Sequence, residues 1–94
     1  MMNSTEKNSI LVIDDEPANI IALRQILSPE YTVYGATDGK TGITAAKNKA
    51  PDVILLDIIM PYMDGYEILS ILKKNPETQN IPVVFITGLR GETA

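Results

Sequence analysis

The 94-residue chain contains no cysteine and no histidine. Without cysteine there can be no disulfide framework and no thiolate metal site. Without histidine there can be no imidazole catalysis, no Ser-His-Asp triad and no histidine-ligated metal. Any metal bound here must be hard and held by oxygen. No apolar run approaches the roughly 18 residues of a membrane span. The opening stretch, Met1 to Ser9, is polar, carries Glu6 and Lys7, and does not resemble a signal peptide. A cytoplasmic location away from membranes is the default expectation. Basic residues are also scarce, 8 Lys and Arg against 12 Asp and Glu, for a net charge of −4. That balance leaves no basic patch to neutralise phosphates and argues against direct nucleic-acid binding. Lys73-Lys74 fits the last turn of a helix, where cations are favoured. There is no G-x-G-x-x-G and no Walker lysine, which weighs against nucleotide binding.

What is present is the composition of a globular protein, 45% hydrophobic and 21% charged. The length allows one domain. A chain this short buries only about two-thirds of its unfolded surface, so every apolar element must contribute to the core. Four short apolar stretches recur with helix-sized gaps: Ile10–Ile13, Tyr31–Tyr34, Val53–Leu56 and Ile81–Ile86. The intervening stretches carry helical spacing. The first begins at Pro17, a favoured first-turn position, and runs through Ile20, Ile21, Leu23, Ile26 and Leu27. The second starts at Thr37-Asp38-Gly39 and ends before Pro51. The third starts near Asp64, covers Tyr66 to Leu72 and is stopped by Asn75-Pro76. This β-α rhythm predicts right-handed crossovers and a parallel sheet with helices on both faces. The Tyr31 strand, the less uniformly apolar, belongs nearer an edge. Residues 1–8 read as a disordered tail, and Leu89 to Ala94 as the opening of another helix. The strand ending at Ile86 is too apolar for an exposed edge, so residues 9–94 read as a fold incomplete at its carboxyl end.

The candidate chemistry lies at the carboxyl ends of the strands, where open α/β sheets bind ligands. Asp14 and Asp15 end one apolar strand and Asp57 ends another. Asp57 alone could merely cap a turn, and Asp14 or Asp15 alone could cap a helix. Three carboxylates brought together repel one another unless a cation neutralises them. Mg²⁺ fits, since it accepts one or two carboxylates plus phosphate oxygens and retains several waters; calcium fits less well without a dedicated oxygen-rich loop. With Mg²⁺ present, an aspartate can act as nucleophile toward a phosphoryl donor. Thr87 supplies a hydroxyl at the end of the fourth strand, and Gly88 leaves its backbone N–H open to an anion.

Val12-Ile13-Asp14-Asp15-Glu16-Pro17, Leu55 to Gly65 with its D-x-x-M-P-x-M-D-G run, and Pro82 to Gly88 resemble the receiver domain of bacterial two-component response regulators. The resemblance spans residues 9 to 94. It implies a flavodoxin-like, doubly wound parallel sheet of order 2-1-3-4-5, here lacking its last strand and helices. It also implies Asp57 as phosphoacceptor, taking a phosphoryl group from a sensor histidine kinase or a histidine phosphotransfer protein. Asp15 would be a direct Mg²⁺ ligand, Asp14 would hold metal-bound water, and the Ile59 backbone carbonyl would complete the protein ligands. Thr87 would be the switch hydroxyl and Gly88 the small residue beside it. The family is not a conventional enzyme but catalyses its own aspartyl phosphorylation and dephosphorylation. Its lysine and aromatic switch residue on strand five have no counterpart here. An aspartyl-phosphate phosphohydrolase fits less well, because the acid such enzymes place two residues after the nucleophile is here Ile59. A second reading is an interaction module that works without phosphorylation and self-associates through the uncovered edge of the fourth strand.

Overall fold

In the computed structural model, which describes residues 7–86, the first strand, β1 (Asn8–Ile13), lies inside a sheet rather than at its rim. The other elements are α1 (Pro17–Leu27), β2 (Tyr31–Ala36), α2 (Gly39–Lys49), β3 (Val53–Asp57), α3 (Gly65–Lys74) and β4 (Val83–Ile86). The four strands are parallel, in the order β2-β1-β3-β4. This is the expected receiver-like arrangement of a flavodoxin-like fold over four strands, with β2 at an edge.

Alternation along each strand divides the core into two layers, because successive side chains point to opposite faces. Leu11, Ile13, Ile54 and Leu56 are fully buried on one face, under Ala46 of α2 and Ile68 and Leu72 of α3. Ile10 and Val12 face the other way, against Ile20, Leu23 and Leu27 of α1. Val33, Val53, Leu55 and Ile86 complete that second layer, and Val84 of β4 remains half exposed. The central strands are apolar on both faces because helices cover both faces.

Element limits differ from the sequence reading by one or two residues. β1 begins at Asn8, which pairs with Tyr31. β2 runs on through Gly35 and Ala36, whose carbonyl accepts from the Asp14 N–H at 3.0 Å. β3 includes Asp57, in register with Ile86. β4 begins only at Val83, after Pro82. Each helix has its own start signal. Pro17 opens α1, the Asp38 carboxylate accepts from Thr41 N–H at the head of α2, and Asp64 with Glu67 forms a complete capping box on α3. No helix among the described residues is long and apolar enough to cross a membrane.

Candidate functional site

β1 and β3 are neighbours in register, Ile13 opposite Leu56, so the residues that follow them arrive at the same rim. Asp14 and Asp15 come from one strand end and Asp57 from the next. Their ligand oxygens all lie within 4.8 Å of one another. Asp14 and Asp57 are buried, at 1% and 6% exposure, and Asp15 is half-buried. The sequence reading therefore placed these three residues together, and the structure brings them together.

Asp14 is held on both oxygens. Its Oδ1 accepts from the Glu16 N–H at 2.9 Å, and its Oδ2 accepts from the Asn19 side-chain amide at 3.2 Å. The first bond is an Asx-turn, the Asp14 side chain accepting from the backbone two residues on, just ahead of α1. The second arises because Asn19 is the third residue of α1, and helical side chains lean toward the N-terminus. Asp57 Oδ1 accepts from the Ile59 N–H at 3.2 Å, which folds the Ile59 peptide back toward the carboxylate. The Ile59 side chain is exposed.

The loop after Asp57 is shaped by backbone contacts. The Gly65 N–H donates to the Ile58 carbonyl at 2.8 Å, and a Cβ at Gly65 would sit 2.8 Å from both the Asp57 carbonyl oxygen and Ile58 Cα. Only glycine admits that approach. Met63 N–H donates to the Pro61 carbonyl at 2.7 Å across Tyr62, which has φ 72° and a fully exposed ring. This is a γ-turn with a bulky residue in the left-handed region. The Phe85 ring of β4 packs at a 55° tilt against Tyr66 of α3, with ring centroids 5.1 Å apart, tying the loop's far end to the sheet.

Asn19 was not legible as a site residue. Its one sequence signal is an asparagine, a weak helix former, in the first turn of a helix. Thr87, Gly88 and the helix opening read at residues 89–94 lie outside the described residues.

The donor set suits Mg²⁺: clustered carboxylate oxygens and no nitrogen or sulfur ligand among the described residues. Such a cation would offset the mutual repulsion of three close anions, two of them buried.

The family model for the response regulator receiver domain matches residues 10–94. Response regulator PleD of Caulobacter vibrioides is 48% identical over 83 residues, covering 87% of this chain but 18% of PleD. The chain thus spans about a fifth of the length of such curated relatives. Among solved structures, the N-terminal domain of a response regulator receiver protein from Methanoculleus marisnigri JR1 superposes with TM-score 0.82 at 37% identity. That match covers 85% of this chain and 66% of the other. The receiver domain of sensor histidine kinase PA1611 from Pseudomonas aeruginosa PAO1, solved with a magnesium ion coordinated in its active site cleft, gives TM-score 0.80 at 27% identity. It covers 92% of this chain and 73% of the other. Sequence and backbone agree with the acidic rim, and this chain belongs to the response regulator receiver domain family.

Proposed function

We propose that Asp57 accepts a phosphoryl group from the phosphohistidine of a sensor histidine kinase or histidine phosphotransfer protein, and that the chain acts as a phosphorylation-dependent switch. The observation that carries this reading is the convergence of Asp14, Asp15 and Asp57 within 4.8 Å at the ends of two adjacent strands. In the transfer, an Asp57 carboxylate oxygen forms a bond to phosphorus as the N–P bond to the donor imidazole breaks, and the imidazole then regains a proton. The chain's own contribution is positioning. The Ile59 N–H fixes one Asp57 oxygen and so limits rotation of the carboxylate. Asp15, Asp14 and Asp57, with the Ile59 carbonyl, would hold Mg²⁺, whose chemistry is to neutralise charge on the transferring phosphoryl oxygens. Thr87 and Gly88 would meet the phosphoryl group after transfer and shift the population between two conformations.

Intact mass after incubation with Mg²⁺ and a small phosphodonor tests the reading. The expected result is a gain of one phosphoryl group, absent with EDTA and absent in Asp57→Asn. Full incorporation by Asp57→Asn would sink it. The reading of an interaction module without phosphorylation has less support. Its main basis is that β4 pairs on one side only, with β3, among the described residues.

A further inference from the structure

We infer that Asn19 is a positioning residue for the cation site, acting through Asp14; the inference rests on the Mg²⁺ reading of the acidic cluster. Asp14 is 1% exposed, and its carboxylate makes two hydrogen bonds, one to each oxygen. The Glu16 N–H on Oδ1 is backbone and fixed by the start of α1. Among the described residues, the Asn19 amide on Oδ2, at 3.2 Å, is the one side chain in that arrangement, and a substitution can remove it. Its orientation is settled by charge: turned the other way, the amide would set its oxygen against an anion, so the nitrogen must face Asp14.

The two bonds together lock the plane of the Asp14 carboxylate. A carboxylate held by one bond can pivot about it, while one held on both oxygens cannot. The lone pairs left over are then fixed in direction, with ligand oxygens of Asp15 and Asp57 within 4.8 Å. Mg²⁺ demands near-octahedral geometry and tolerates little error in its surroundings, so a fixed acceptor is worth more here than for a more permissive cation. Groups that orient ligands without touching the metal commonly matter about 10- to 100-fold in affinity. The amide is also neutral. It steadies the anion without cancelling the charge that attracts the cation, which a lysine at this position would do.

The geometry comes from the helix itself. Asn19 is the third residue of α1, and a side chain there reaches back past the helix start. A capping box uses the same reach to bond the helix's own backbone, as Glu67 does in α3. In α1 the reach is redirected to the catalytic rim.

Mn²⁺ binding followed by electron paramagnetic resonance, with Mg²⁺ as competitor, tests this on the full chain. Asn19→Leu keeps the approximate size and removes the donor; Asn19→Ala removes it without adding apolar bulk. Both are compared with wild type and with Asp15→Asn, and thermal midpoints are taken in EDTA. The expected result is a dissociation constant for Mg²⁺ raised about tenfold in both variants, with metal-free midpoints close to wild type. An affinity within twofold of wild type in either folded variant overturns the inference, as does a fall in the metal-free midpoint without a change in affinity. If wild type binds no ion that Asp15→Asn abolishes, the Mg²⁺ reading itself fails and takes this inference with it.

Discussion

A Cβ placed on Gly65 would meet the Asp57 carbonyl oxygen and Ile58 Cα, both at 2.8 Å, and neither can swing aside as a side-chain tip would. Gly65→Ala must therefore push the start of α3 away from the strand end that carries Asp57. Overpacking of this kind costs about 1–3 kcal/mol. A lower denaturation midpoint together with slower phosphoryl incorporation is expected; incorporation at the wild-type rate would show that the strand end does not move. Tyr62 presents the opposite case. Its φ of 72° is strained for an aromatic residue, and its ring is fully exposed, so it gains little from packing in return. Tyr62→Gly should raise stability by up to about 1 kcal/mol in chemical denaturation, since relief of a strained left-handed residue outweighs the added freedom of the unfolded chain. A loss of stability would mean that the ring has a partner surface. Ile59 bears on lifetime rather than stability. It is an exposed apolar side chain two residues from Asp57, and on the proposed phosphoacceptor reading it would keep water from the acyl phosphate. Ile59→Asn should hydrolyse the phosphorylated form faster, read as the decay of the phosphorylated mass once the donor is removed.

At the scale of elements, α2 and α3 begin with the same device in different strength. Asp38 accepts from Thr41 N–H at 2.7 Å, and that bond holds its carboxyl below the ordinary value of 3.8. Because the folded value is the lower one, the cap's contribution is fully present above about pH 4 and fades as pH falls through the folded value. Asp38→Ala should therefore lower the thermal midpoint at neutral pH, and the gap from wild type should close in strong acid. A gap that persists there would assign the loss to something other than the charged cap. The capping box on α3 adds a second bond, Asp64 N–H to Glu67 at 3.3 Å. Elements were the most legible part of the sequence. Strands buried on both faces show as unbroken apolar runs, and Pro17, Asp38 and Asp64 mark the helix starts. Their limits were less legible. Gly35 and Ala36 have no strand preference of their own, yet they extend β2 because β1 offers them a ladder. The three carboxylates could be read because each ends an apolar run. Asn19 and Gly65 could not be read as contacts, since each meets residues that only the packed helix and strand bring within reach.

For the whole molecule, the acidic rim sets function against stability. Two unit charges 4.8 Å apart repel by roughly 3 kcal/mol at an effective dielectric of about 20, and here one oxygen from each of three carboxylates lies within that distance of the others. Solvent at the open rim weakens the repulsion, yet a domain of this size has little stability to spare. A bound cation would offset that repulsion. Asp57→Asn removes one charge while keeping the side chain's size and its acceptor for the Ile59 N–H. In EDTA the variant should therefore melt higher than wild type, by about 4–8 °C for each kcal/mol of repulsion relieved. Titrating Mg²⁺ should raise the wild-type midpoint with the logarithm of concentration once the site begins to fill. The variant, with one anionic ligand fewer, should gain less, so the two curves converge as Mg²⁺ rises. Circular dichroism melts across a Mg²⁺ series would follow this directly. A variant less stable than wild type in EDTA would mean that the Asp57 charge is already compensated within the fold, and the repulsion argument for a cation would fall.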